Sequence, residues 1–430
     1  MAGLSETPYD RATYGMSFSV SNISATWYPA SGRRYGDGGY LTSVGDCGDY
    51  WSVTPDFSQA CDLYFNRNGS IYPSHNIGRA YGLGVRCFKE GTGGGPQYDN
   101  DFSLSNAKSL SDTGTANSYI VSRAGTYSIP SVKGNSSESV GPVASAEVLW
   151  ESFGTDERIF KGYLVSGARY ENGMVYFKTV DEYREGNVVI AVKDASGNIL
   201  WSWHIWLTDQ PEEHVYSNDA GTMMDRNLGA ISATPGDVGA LGLLYQWGRK
   251  DPFLGSSSID SDYAEVKSTI VWPTKVSSNS SNGTIEFAIA NPTTFITNSS
   301  DWYYSGRNTD NTRWQSDKTI YDPCPAGWRV PDGGDEGVWF NAGFSDTSYS
   351  SSSIGRYFSI SSPSATWYPA SGCRDELSWS LDDVGSVGYY WSVTPNGSRV
   401  YALVFSENGV GLSGIDRASG CNVRCFKITD

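Results

Sequence analysis

In the stretch "YALVFSENG", residues 401–409, apolar letters alternate with a period of two. Leu403 and Phe405 therefore share one face of a strand, Ala402, Val404 and Ser406 the other, and Asn408-Gly409 supplies a turn. The same alternation recurs in "SYIVSRAGTYSIPSV", "ASAEVLWES", "MVYFKTV", "NVVIAVKD" and "NILWSWHIWLTD". Strands at that spacing, the last two joined by "ASGN", predict an immunoglobulin-like β-sandwich over residues 102–212. "ILWSWHIW" reads as its central core strand. Helical signals are few. "GALGLLYQWG" fits an apolar helix or a buried segment, and "DEGVWFNAGF" a short helix with acidic residues in its first turn. Residues 255–311, rich in Ser and Asn, read as long surface loops.

Composition agrees with many short strands and turns. The 430 residues include 49 Gly and 59 aromatic residues (15 Trp, 28 Tyr, 16 Phe), and only 18% are charged. A net charge of −16 repels phosphate backbones and anionic lipid, so nucleic-acid binding is excluded as an expectation. No apolar run of about 20 residues exists to span a bilayer. "MAGLSETPYD" has neither a basic region nor an apolar segment of a signal peptide. Seven irregularly spaced cysteines are not read as a disulfide framework, and one or two bridges stay open.

The chain repeats itself. "SATWYPASG" stands at residues 24–32 and again, 340 residues on, at 364–372. The copies agree again at "YWSVTP" (50–55, 390–395) and "VRCFK" (85–89, 423–427), and between these at Leu63/Leu403, Phe65/Phe405 and Asn68-Gly69/Asn408-Gly409. Retained letters are core and turn; the changed ones are assigned to the opposite face and the loop beyond. At twelve aligned differing positions only Gln59 and Glu407 fall outside the set of residues encoded by codons ending in a pyrimidine. Residues 1–90 hold only the second half of such a module, a half that would leave a sheet edge and an apolar face unpaired.

This pattern resembles the variable regions of diversity-generating retroelement proteins of gut Bacteroides. "MMDRNLGA", "LGLLYQWGRKDPF", "YDPCPAGWRVPD", "GYYWSVTP" and "CNVRCF" are together similar to the Fibrobacter succinogenes major paralogous domain family. The resemblance implies an α+β C-type-lectin-like domain over residues 213–430, with its variable region at about 391–427. The sandwich and a linker, 91–101, would precede it, with the partial lectin-like repeat at 1–90. The implied function is a non-enzymatic, surface-displayed ligand-binding protein. The alternative is a structural adhesin or pilus-tip subunit of a Bacteroides-type surface assembly. The contact residues expected are Asn396, Gly397, Arg399, Tyr401, Ala402, Val404, Ser406, Val410, Leu412, Ser413, Ile415, Asp416, Ser419, Cys421 and Asn422. Tyr401 and Arg399 are the expected anchors, because Tyr and Arg dominate binding hot spots.

No catalytic residue, metal ligand or cofactor is expected. The three histidines, His75, His204 and His214, are scattered, and no GxSxG or Walker A motif occurs. The EPN, QPD and WND triplets of calcium-dependent sugar-binding lectins are absent as well. Among the thiols considered for formylglycine-type chemistry (Cys373, Cys421, Cys425), only Cys425 aligns with a cysteine, Cys87, and its "VRCF" setting reads as core. The expected ligand is a protein or a glycan at the cell surface or outside the cell. A lipid-anchored or pilus-associated partner is left open.

Overall fold

The structure is a computed structural model that describes residues 5–6, 10–19, 26–56, 59–86, 98–153, 161–259, 275–304, 310–343, 347–362 and 365–429. The chain divides into two compact units, Met1–Gly93 and Gly94–Asp430.

In the first unit Cys47–Asp56, Gln59–Asn66 and Ile71–Gly78 form an antiparallel meander, and Gly15–Ser19 pairs with Thr26–Pro29. Its small core is built on Met16, Ala30, Tyr50 and Phe65. The second copy repeats this geometry. Val387–Asn396 pairs with Arg399–Ser406 so that Trp391 faces Ala402, as Trp51 faces Asp62, and both ladders slip before Pro395 and Pro55. Proline has no N–H to give a ladder, so a slip there costs no further bond. Tyr50 Oη donates to Pro29 O at 2.6 Å and Tyr390 Oη to Pro369 O at 2.7 Å. Gly48 and Gly388 lie under the Phe65 and Phe405 rings, where an added Cβ would stand 2.2 and 2.3 Å from the ring.

The second unit begins with two four-stranded sheets packed face to face. One contains Ser118–Val121, Ile199–Leu207, Gly186–Lys193 and Ser145–Ser152; the other contains Val165–Glu171, Met174–Thr179, Thr126–Pro130 and Lys108–Ser109. Val188, Ile190, Trp201, Trp203, Ile129 and Phe177 fill the space between them. "GNVVIAVK" is apolar at successive positions because both its faces are covered. Its outer face, with Trp150 and Trp206, packs into a second core with Leu228, Leu243, Trp247 and Val423. Sandwich and C-terminal part therefore share a core within one unit.

The α+β lectin expectation is overturned. Among the described residues there are two α-helices, Ile285–Ala290 and Val338–Ala342, of six and five residues, and the rest of the regular structure is strands and short 3-10 turns. "GALGLLYQWG" is buried but not helical. Gly242 (φ 72°) and Gly248 (φ 80°) take left-handed backbone, and between them Leu244–Gln246 pairs antiparallel with Gly420–Asn422. The acidic segment does turn helical, but only for the five residues at Val338–Ala342 after a 3-10 turn at Gly334–Glu336. Residues 255–311 are less superficial than expected: Trp302, Phe295 and Ile296 are buried. Cys324 and Cys425 form a disulfide across a separation of 101 residues.

Candidate functional site

The candidate site is built on the hairpin Val387–Ser406 and the strand Gly409–Ile415 that edges its sheet. Leu403 and Phe405 are buried in one core with Tyr390 and Tyr368, as the alternation requires. The opposite side is not uniformly open. Ala402 is fully buried beside Trp391 and Val400, because the half of the module that precedes the hairpin covers it there.

Three more expected contact residues are also inside, and their assignment to the surface is corrected with that of Ala402. Ser419 is buried with its Oγ donating to Glu376 Oε2 at 3.0 Å. Cys421 is fully buried, and burial pushes its thiol well up. Asn422 donates to the carbonyls of Leu241 and Leu243 at 2.8 and 3.1 Å and accepts from Ser371 Oγ. Each lies on or beside Gly420–Asn422, a strand enclosed by Val387–Asn396, Cys373–Arg374 and Leu244–Gln246. Their counterparts in the first copy, Tyr81, Leu83 and Gly84, are half-buried.

The remaining expected residues form two groups. Asn396, Gly397 and Arg399 are exposed at the hairpin turn, with Tyr401 and Asp416 half-buried beside it. Arg399 holds Asp416 through two contacts of 3.1 Å. Tyr401 lines a cleft of about 720 Å³ with Thr394, Pro395, Asn311, Asp335 and Glu336. Val404, Ser406, Val410, Leu412 and Ser413 line a second, shallower cavity of about 390 Å³ with Tyr389, and Ile415 is half-buried on the same strand. Tyr401 and Val404 stand three apart and so belong to opposite faces of the strand. Val410 and Leu412 pair with Phe405 and Leu403 on Tyr401's face, so it is the two separate cavities, and not strand parity, that divide the expected contact set into two surfaces.

One wall of the cleft, at Asn311, is held by a buried cation whose partners sequence reasoning missed. Arg417 lies over the Trp247 ring at 4.4 Å and donates to Asp310 O at 2.8 Å and Asn311 Oδ1 at 2.6 Å. The same guanidinium reaches the carbonyls of Gly397 and Arg399 at 3.4 Å, tying the loop at 310–311 to the hairpin turn. Burial pushes Arg417 down to about 10, with Asp301 opposing the shift. The alignment of Arg417 with Arg79 was visible in the letters; its partners at 301–311 were not. The acidic rim at Asp332, Asp335 and Glu336 was also missed, its only signal being the turn-forming run "DGGDEG". Asp332 is held by Arg329 and Ser316.

Among the described residues no cluster of His, Cys, Asp and Glu is arranged to hold a metal ion. No described helix is long and apolar enough to cross a membrane. What the geometry offers is a polar, acid-rimmed cleft with a tyrosine and a proline at its wall, suited to binding by contact and hydrogen bonding.

No family model and no curated protein matches the chain. One solved structure similar in part is SGBP-B of the Bacteroides ovatus mixed-linkage glucan utilization locus, in complex with a mixed-linkage heptasaccharide. The identity is 11%, the match covers 49% of this chain and 46% of that one, and the TM-score is 0.14. The chain thus spans less than half the length of that protein.

Proposed function

We propose that the chain is a non-enzymatic ligand-binding protein displayed at the cell surface or outside the cell, of the kind diversified by a retroelement. Its exchangeable residues are those at the hairpin turn, the cleft wall and the edge strand: Asn396, Arg399, Tyr401, Val404, Ser406, Val410 and Ser413. The ligand is a protein or a glycan.

One observation carries the reading. Two hairpins 340 residues apart keep one register, one proline slip and one Tyr-to-carbonyl bond while the letters around them change. A frame held by Tyr390, Leu403, Phe405 and Gly388 leaves the exposed positions Asn396, Arg399 and Ser413 free to vary without loss of packing, while Tyr401, Val404, Ser406 and Val410 are half-buried at its margin. The Cys324–Cys425 disulfide supports an oxidising compartment.

The test is a displayed library randomised at the seven positions. Most members are expected to keep the cooperative unfolding of the parent, and selection on immobilised glycans and secreted proteins to enrich particular letters at 399 and 401. Loss of folding in most members would overturn the proposal. A reverse transcriptase gene with a near-identical template beside the coding sequence, differing from it at adenines, is the expected genetic counterpart.

A further inference from the structure

Val85 and Arg86, whose counterparts the second copy buries beneath the preceding half of its module, lie open in the first. Val423 is fully buried and its carbonyl accepts from Leu228 N at 2.9 Å; Val85, its counterpart, is 69% exposed. Trp391 is fully buried, whereas Trp51 is half-buried. Arg424 donates to Asn227 Oδ1 at 3.1 and 3.0 Å and to Trp367 O at 2.9 Å. Arg86 keeps the equivalent of the last bond, to Trp27 O at 2.7 Å, and is otherwise exposed. Gly420–Asn422 carries Leu244–Gln246 along its edge. The matching stretch at 82–84 bridges only to Arg34 and Tyr50 among the described residues.

A second observation sits on the face that in the second copy turns toward Trp391. Asp49 and Asp62, which replace Tyr389 and Ala402, are fully buried. Arg33 holds one oxygen of Asp49 at 3.1 Å and His75 one oxygen of Asp62 at 3.0 Å. The other oxygen of each is buried with no donor among the described residues. The face thus carries two carboxylates where the second copy has Tyr389 and Ala402.

We propose that this face of the first unit is a docking surface for a complementary half-module, a polypeptide segment from outside residues 1–430. The segment adds a strand along 82–85 as Leu244–Gln246 does along Gly420–Asn422. It sets an amide side chain against Arg86 as Asn227 does against Arg424. A second copy of this chain is the poorer occupant, because its own half-module is already closed over Val423 and Trp391. The inference stands apart from the ligand-binding reading, which concerns the other unit.

The experiment fuses residues 213–353 ahead of Tyr14 of the full chain, with Asp49→Tyr and Asp62→Ala restoring the second copy's letters. Hydroxyl-radical labelling of Val85 and Trp51 is expected to fall to the level read at Val423 and Trp391 in the same molecule. Labelling that stays at the unfused level overturns the proposal. Without the two substitutions the same fall is expected at Val85, and labelling of Val85 that stays at the unfused level in both versions overturns the proposal. The ligand-binding reading fails or survives separately, through the library at 396–413.

Discussion

Trp391 donates its indole N–H to the carbonyl oxygen of Tyr245 at 2.7 Å, across 146 residues of chain. That bond joins the hairpin to the half of the module that precedes it, and the ring is fully buried in the core that the two halves share. Truncating a buried tryptophan removes its transfer free energy and leaves a cavity, so Trp391→Ala is expected to cost about 3–5 kcal/mol. Trp51→Ala, at the half-buried twin, is expected to cost markedly less. Urea unfolding followed unit by unit checks the difference; equal costs would mean that the two rings are equally enclosed.

The hairpin offers a sharper contrast within one strand. Leu403 is fully buried, while Arg399 is exposed and pairs with Asp416. Leu403→Ala is expected to destabilise by about 2–5 kcal/mol. Arg399→Ala is expected to change stability by less than about 1 kcal/mol, the usual worth of an exposed ion pair. Thermal unfolding of both variants measures this, and a large loss at Arg399 would remove it from the exchangeable set.

His204 predicts a pH dependence. It is fully buried between Ser118 Oγ and Asn187 Oδ1, both at 2.8 Å, and burial pushes it down from its ordinary value of 6.5 to about 3. The folded protein therefore holds it neutral while the unfolded chain takes up a proton below pH 6.5. Its contribution is fully present above that value and is lost as pH falls toward 3, by on the order of 4–5 kcal/mol at the end of the range. Stability measured from pH 7 to pH 4 should fall with a slope approaching one proton, and His204→Gln should flatten that slope.

The disulfide closes a long loop. Cys324 and Cys425 are 101 residues apart, and a loop of that length restricts the unfolded chain enough to be worth about 4–5 kcal/mol in the chain-entropy model. The Cys324→Ala and Cys425→Ala double variant, or the reduced protein, is expected to lose stability on that scale in urea. No loss would mean that packing around Cys425 alone holds the two segments together.

Short-range patterning was legible. The alternation of Leu403 and Phe405, the turn at Asn408-Gly409, the sandwich strands and the repeat itself could be read because strand faces follow a period of two, whatever the strand packs against. Even so, the repeated geometry reaches further back than the repeated letters. Gly15 pairs with Pro29 as Gly355 pairs with Pro369, and Tyr14 and Ile354 share a left-handed φ of 52°.

Tertiary structure alone decided what covers each face. Ala402, Ser419, Cys421 and Asn422 vary between the copies and were read as outward, yet they are inside, because residues 221–254 lie far away in sequence and against them in space. Likewise "GALGLLYQWG" is as apolar as a buried helix. Glycines in left-handed backbone and a waiting strand edge at Gly420–Asn422 turned it into a strand instead. Local letters set which residues share a face; whether that face meets water depends on contacts between distant segments.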